Sequence, residues 1–344
     1  MNQTSEVNAV NLVDTLYSRG INIGAIYTPE HGLKGKGDAG ELMGDGFYSK
    51  LSIPVISLYG KKKKPLPEDL RGIEAIIFDI QDVGVRFYTY ISTLHYIMEA
   101  CAEAKIQLIV LDRPNPNAHY IDGPVLESGL RSFVGMHPVP VVYGMTIGEY
   151  AMMINGENWL PDNLRCNLKV VPCKNYTHKT GYDLPVPPSP NLNNMRAIYL
   201  YPSVAFFEGT IISEGRGTDS PFQVAGHPDY SDNSFSFVPR SMPGYDTRPK
   251  YQDTTCYGID LRSISLLELK KINRLNLNYL IQFYKDPGIQ KNFFTRYFNL
   301  LAGNDDLKNQ IVTGWSEDEI RNSWKTELEE FKKIRVKYLL YPDE

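Results

Sequence analysis

At 344 residues, with 42% hydrophobic and 22% charged residues, the chain is long enough for two domains and has the composition of an ordinary globular protein. A net charge of −4 argues against a general nucleic-acid binder, and no apolar run reaches the length of a membrane span or a signal-peptide core. The four cysteines (Cys101, Cys166, Cys173, Cys256) show no C-x-x-C pair and no metal spacing with histidine, which disfavours a metal-dependent hydrolase and leaves the redox compartment open.

Helix and strand alternate through the first half. "VNLVDTLYSRG" puts Val10, Val13, Leu16 and Tyr17 on one helical face and stops at Gly20. "INIGAIYT" and "IPVISLYG" read as strands, and "PLPEDLRGI" starts a helix behind its proline. "EAIIFDI" and "QLIVLD" are buried strands on either side of a helix, "STLHYIMEACAEAKI", whose stripe is Leu94, Ile97, Met98 and Cys101. Continuous Ile/Val/Leu strands between helices predict an α/β fold: a parallel sheet with helices on both faces. The chain opens on a helix where such folds open on a strand, so the first strand is expected to be missing. Prolines cluster in "YDLPVPPSPNL" (182–192), which reads as a linker between domains at 1–190 and 191–344. Beyond it, strand-like "SFSFVPR" and "TTCYGIDLR" and helices near 276–285, 305–312 and 316–336 predict a smaller α+β domain. The "KKKK" at 61–64 reads as a solvated loop.

Residues 26–41, "IYTPEHGLKGKGDAGE", contain a formal G-x-G-x-x-G match. A dinucleotide loop begins at its strand's end, runs into a helix, and is followed about 20 positions on by an acidic residue. Here Thr28 to Leu33 intervene, more glycines follow, and the distal region reads "LYGKKKK". The dinucleotide reading is rejected and no cofactor is expected.

Open α/β sheets bind ligands beyond the carboxyl ends of their strands. Three strands deliver polar residues there: Glu30 and His31; Asp79, Gln81 and Asp82 with Arg86 and Tyr88; and Asp112, Arg113 and Asn115. Strand-tip aspartates commonly cap backbone N–H groups, and Arg86 and Arg113 are equally suited to pairing with them. Three coincident tips are better evidence than any one residue.

The blocks "YTPEHGLKGKGDAGE", "FDIQDVGVRFYTYISTLHYIMEA", "VLDRPNPNAHYIDGPVLE", "YGMTIGEYAMMINGE", "PPSPN" and "FFEGTIISEGRGTDSPF", in this order, resemble the NamZ family of peptidoglycan exo-β-N-acetylmuramidases, glycoside hydrolase family 171. The resemblance implies a Rossmann-like N-terminal domain, a smaller C-terminal domain and a cleft between them. It also implies release of N-acetylmuramic acid from the non-reducing ends of peptidoglycan fragments, with a catalytic glutamate corresponding to Glu30. Family members carry a strand, and often an export signal, before the segment matching Asn2-Gln3-Thr4-Ser5. The sheet is therefore expected to lack one strand and the tip residues Asn2 and Thr4 to be affected. A periplasmic or secreted location is implied, and the lack of a signal in this chain carries no cytoplasmic address.

Glycosidic cleavage needs an acid at the leaving oxygen and a second group that attacks or activates water. Glu30 is the candidate acid, with His31 beside it as a tuning or structural residue. Asp79, Asp82, Glu208 and Glu214 are candidates for the second group, and the sugar's own acetamido carbonyl is a further option. Arg86, Arg113 and Arg216 are candidate partners of the lactyl carboxylate; in "SEGRGTD" the flanking glycines would let backbone approach the ligand. Tyr88, Tyr90, Phe206 and Phe207 could stack on sugar faces, although the phenylalanines suit a core equally well. The expected ligands are peptidoglycan-derived saccharides or muropeptides. The alternative is a muropeptide- or glycan-binding protein without turnover.

Overall fold

The computed structural model describes residues 1–35, 37 and 44–344. Lys36, Asp38, Ala39 and Gly40, which complete the glycine-rich match, lie outside the described residues.

A short hairpin, β1 (Glu6–Val7) and β2 (Val10–Asn11), precedes helix α1 (Leu12–Ser18). Asn11 caps α1 by accepting from the Val13 N–H at 2.9 Å, so the helix starts two residues later than its apolar pattern suggests. Val10 is thereby spent in the hairpin and Tyr17 faces out; Leu12 and Val13 are the buried pair. Gly20 ends the helix with φ +77°, as its C-cap reading required.

Strands β3 (Ile26–Thr28), β4 (Gly46–Tyr48) and β5 (Ile53–Ser57) form one sheet, in which β3 and β5 are parallel and β4 is antiparallel to β5. Strands β6 (Ala75–Phe78), β7 (Gln107–Leu111) and β8 (Asn167–Val171) form a second, wholly parallel sheet in that order. Between β5 and β6, "PLPEDLRGI" makes only a single 3₁₀ turn, Pro67–Leu70. Helix α2 (Tyr90–Ala104) packs on β7 and β8, and Leu94, Ile97, Met98 and Cys101 are all buried, as their spacing required. Helix α3 (Ile147–Gly156) packs on the same two strands and opens with a capping box: Thr146 Oγ1 accepts from Glu149 N, and Glu149 Oε2 accepts from Thr146 N. Asp112, at the tip of β7, accepts from Gly148 N at 2.8 Å and Thr146 Oγ1 at 2.7 Å, so it is a structural cap.

Helix α4 (Met195–Val204) leads into the C-terminal part. Strands β9 (Val224–His227), β10 (Ser236–Phe237) and β11 (Cys256–Asp260) make an antiparallel sheet ordered β10-β11-β9. Helices α5 (Leu266–Lys271), α6 (Asn278–Tyr284), α7 (Tyr297–Ala302), α8 (Asp306–Val312), α9 (Glu317–Ser323) and α10 (Lys325–Arg335) complete an α/β protein with a smaller α+β C-terminal part. Among the described residues no helix is long and apolar enough to cross a membrane.

The lysine run is tethered rather than free. Lys62 pairs with Asp69 at 2.9 Å, Lys64 with Glu99 at 2.7 Å and Glu103 at 2.9 Å, and Lys63 lies 4.4 Å above the Phe133 ring.

Under α2 and α3 sits a buried imidazole pair, His95 Nδ1 to His137 Nε2 at 2.9 Å, with His137 Nδ1 at 3.0 Å from the Tyr150 hydroxyl. Burial lowers the His95 pKa to about 4, helped by the charges of Arg131 and Lys64, and holds His137 well below its usual value. A histidine whose folded pKa is depressed adds stability above its unfolded pKa and loses it as pH falls through the folded one. Stability against urea is expected to fall between about pH 6.5 and pH 4, by roughly 3 kcal/mol for His95 alone. His95→Gln should flatten that part of the profile.

Candidate active site

Three strand ends meet at one cavity of about 390 Å³, a volume typical of small-ligand sites. β3 supplies Glu30 and His31, β5 supplies Tyr59, and the segment between β6 and α2 supplies Tyr88, Thr89 and Tyr90. The opposite wall comes from the C-terminal part: Glu208, Glu214, Arg216, Arg248, Lys250 and Tyr297. Ser189 and Asn191 also line the cavity, so the proline-rich segment borders the site as well as connecting.

The turn after β3 holds Glu30 in place. Pro29 O accepts from Gly32 N, and His31 adopts φ +69°, a left-handed conformation that costs a non-glycine residue of order 1 kcal/mol. Its ring offsets this by donating from Nδ1 to Gly37 O at 2.8 Å, which makes His31 a brace for the loop that carries Glu30. Thr89 Oγ1 donates to Glu30 Oε2 at 3.3 Å, and the Tyr59 hydroxyl also hydrogen-bonds to Glu30. Burial and the Glu30 charge raise the pKa of both Tyr59 and Tyr90, so these phenols stay protonated as donors. Asn2 lies one layer back: its amide donates to the Tyr90 hydroxyl at 2.9 Å and its carbonyl oxygen accepts from Thr4.

Across the cavity runs a charge relay of alternating sign. Glu208 accepts from Arg216 at 2.6 Å; Arg216 lies 3.3 Å from Glu214; Glu214 lies 3.1 Å from Lys250. Burial raises the Glu208 pKa above its usual value, with Arg216 opposing and the Glu214 charge adding. Burial pushes Glu214 up too, but Lys250 and Arg216 together outweigh it and hold Glu214 below its usual value. Lys250 is anchored by Phe207 O at 2.7 Å and Ile212 O at 2.9 Å. Gly215 and Gly217 have φ +79° and +76°, and a Cβ on either would strike Val224 or Pro249. The glycines beside Arg216 thus serve a tight turn packed on the strand that follows, not the backbone approach to a ligand expected from the sequence.

Several expected site residues lie elsewhere. Asp79 pairs with Arg113 at 2.6 Å, and neither borders the cavity. Gln81 donates to Asp82 O and Pro114 O, both at 2.8 Å. Asn115 donates to Met145 O at 2.8 Å and accepts from Asn117 N. Asp82 is buried against Tyr143 and Gly84 N, and burial raises its pKa to about 6. Arg86 is wholly buried and donates to the carbonyls of Pro124, Val139, Leu301 and Ala302. Phe206 and Phe207 are core residues, 0% exposed. Tyr88 and Tyr90 do line the cavity, edge-on to each other at 4.8 Å, and the Tyr88 hydroxyl makes no hydrogen bond of standard geometry among the described residues.

Sequence reasoning missed Tyr59, Asn191, Arg248, Lys250 and Tyr297. Arg248 is exposed on the cavity rim, and its guanidinium has no acidic partner among the described residues. The "PPSPN" block was a usable signal for Asn191. Arg248 and Lys250 sit in an irregular stretch with no periodicity to read.

Comparison with known proteins adds a second line to this geometry. The N-terminal domain model of exo-β-N-acetylmuramidase NamZ matches residues 1–196, and its C-terminal domain model matches residues 199–341. The chain is 40% identical over 347 aligned positions to the peptidoglycan β-N-acetylmuramidase NamZ of Bacillus subtilis strain 168, covering 96% of this chain and 82% of that protein. Two crystal structures of DUF1343-family proteins from Bacteroides fragilis NCTC 9343 share the fold. The first has a TM-score of 0.92 at 46% identity, covering 100% of this chain and 93% of the other. The second has a TM-score of 0.80 at 29% identity, covering 99% and 92%. With the two domain models together matching residues 1–196 and 199–341, and the "PEHG" and "SEGRGTD" turns both lining one cavity, this chain belongs to the NamZ exo-β-N-acetylmuramidase family.

Proposed function

We propose that the protein is a peptidoglycan glycosidase that removes N-acetylmuramic acid from non-reducing ends, with Glu30 as general acid. The observation that carries this reading is one small cavity holding Glu30 on one wall and the Glu208–Arg216–Glu214–Lys250 relay on the other. Cleavage of a glycosidic bond calls for two carboxyl groups in distinct settings, and the cavity supplies them. Glu30 protonates the departing oxygen. Both oxygens of Glu214 are engaged by cations, whereas Glu208 meets Arg216 through Oε1 alone. Glu208 is therefore the better second group, orienting either a water molecule or the sugar's acetamido carbonyl.

Arg248 meets the lactyl carboxylate in this reading, because a rim guanidinium with no acidic partner among the described residues is a natural carboxylate receptor. Arg248→Ala should raise KM for muramic acid glycosides by about 10- to 100-fold with kcat nearly unchanged. Binding of N-acetylglucosamine, which lacks the carboxylate, should show no such change by calorimetry. The substrate sets the location: a periplasmic or secreted protein is expected, and cell fractionation checks it.

Release of a chromogenic aglycone from β-N-acetylmuramic acid, and not from β-N-acetylglucosamine, tests the whole reading. Saccharide binding by calorimetry without any release would make the protein a glycan-binding member of the family instead.

A further inference from the structure

A second cavity, of about 610 Å³, lies beside α2 and is larger than the candidate active site. Its volume falls in the range of small-molecule sites. Helix α2 carries Tyr90 at the first cavity and His95 and Glu99 at the second, so the two stand about 8 to 14 Å apart along one helix. A neighbouring segment borders both as well: Phe133 and Val134 line the first, Leu126 and Arg131 the second.

Trp159 reaches the second cavity because the chain turns back after α3. Asn158 takes φ +55°, and Trp159 N donates to Ile154 O at 3.0 Å. The indole then lies nearly parallel to the His137 ring, with 4.9 Å between centres and 18° between planes. Its N–H has no acceptor among the described residues. With Leu126 and Leu160 it makes the apolar part of the lining.

The rest of the lining is rich in donors, and a chain of hydrogen bonds sets the direction of one of them. The buried Tyr150 hydroxyl has His137 Nδ1 as its partner at 3.0 Å, so its proton goes there. Burial keeps His137 neutral, so its one proton sits on Nε2 and is donated to His95 Nδ1 at 2.9 Å. His95 is neutral for the same reason and carries its proton on Nε2, the nitrogen left for the cavity. The Glu99 carboxylate, 3.8 Å from that nitrogen, favours the same tautomer.

Arg131 supplies the charge. Its Nε donates to Met136 O at 3.0 Å, which fixes the plane of the guanidinium, while its two Nη groups have no acidic partner among the described residues. It lies close enough to act on both imidazoles. Among the described residues Glu99 is the one carboxylate of this cavity, and Lys64 holds it at 2.7 Å. A bare inorganic anion here would leave Trp159, Leu126 and Leu160 uncovered. A neutral sugar would leave Arg131 unused.

We propose that this second cavity binds an organic carboxylate with a flat apolar body, its carboxylate on Arg131 and His95 Nε2–H and its body against Trp159, Leu126 and Leu160. Glycosidic cleavage calls for two carboxyl groups, so this site binds without turnover and is independent of the glycosidase reading.

The test is calorimetry on the full chain with phenylacetate, and with phenylacetamide as the same body without the charge. Phenylacetate should bind at least about tenfold more tightly than the amide. Arg131→Ala should remove that difference; Arg131 is exposed, so the fold should persist, which thermal melting checks. Intrinsic fluorescence should respond to phenylacetate through Trp159, since Trp315 and Trp324 lie outside the cavity. Trp159→Phe should abolish that response while keeping a ring in place. Arg248→Ala, at the other cavity, should change neither affinity. Equal affinity for the two probes, or binding of neither, overturns the proposal. So does a loss in Arg248→Ala that Arg131→Ala does not share, which would put the carboxylate in the candidate active site. Inorganic phosphate that binds as tightly as phenylacetate makes this a bare anion site and overturns the proposal too. None of these readouts depends on glycosidase activity.

Discussion

Glu30→Gln is expected to lower turnover of β-N-acetylmuramic acid glycosides by about 10²- to 10⁴-fold while leaving Tm and saccharide affinity nearly intact. The exchange keeps size and shape, and Thr89 and Tyr59 can still donate to the amide oxygen, so the cavity wall should persist. What disappears is the transferable proton. That loss has a signature: it should be severe for sugar leaving groups, which depart poorly as alkoxides, and mild for nitrophenyl glycosides, which need little protonation. Glu208→Gln should show the opposite dependence, losing rate whatever the leaving group. Kinetics with a series of phenyl glycosides measures both. A loss in Glu30→Gln that is uniform across the series would transfer the acid's role away from Glu30.

Arg86→Met should be the most damaging single change to stability, by about 3–5 kcal/mol in urea denaturation. The side chain is buried with no carboxylate partner among the described residues, and its charge is met by four carbonyl oxygens. Nη1 donates to Pro124 O and Val139 O, both at 2.7 Å; Nη2 donates to Leu301 O at 2.9 Å and Ala302 O at 2.6 Å. The first two acceptors lie in the segment matched by the N-terminal family domain and the last two in the segment matched by the C-terminal one. Methionine fills the volume and leaves those carbonyls without donors. Lysine should recover only part of the loss, since one ammonium cannot reproduce a planar fork aimed in two directions. Gly303 is bound up with the same group: it sits at φ +82°, and a Cβ there would lie 2.4 Å from Arg86 Nη2.

Arg86 also shows where reading the sequence ends. Its proximity to a strand tip made it a ligand candidate, but its acceptors stand 38, 53, 215 and 216 residues away, and no local pattern encodes them. Strands β6 and β7 and helix α2 were legible because continuous apolar runs and an i, i+3, i+4 stripe are local consequences of burial. β8, "NLKVV", alternates weakly and escaped, and the capping box "TIGE" that opens α3 went unread. The position of Glu30 followed from a general rule about strand ends, and Glu30 does line the cavity. Asp79 and Arg113 followed from the same rule and found each other instead. Arg248 and Lys250 come from an irregular stretch whose placement depends on Gly217 packing against Pro249, a contact with no sequence signature.

The proline-rich passage at 182–192 carries a consequence for how this protein can vary. Gln3 donates to the carbonyls of Pro187 and Pro188, the Tyr90 hydroxyl donates to Pro188 O at 3.2 Å, and Ser189 and Asn191 face the ligand space. Surface connections ordinarily absorb insertions with little effect. This one is pinned both at residues 1–5 and at the wall of the candidate site, so an added residue would be felt as a change in the shape of that cavity. Length changes should therefore be accommodated in other connections, and grafting a C-terminal part from a relative should succeed only when this passage travels with it.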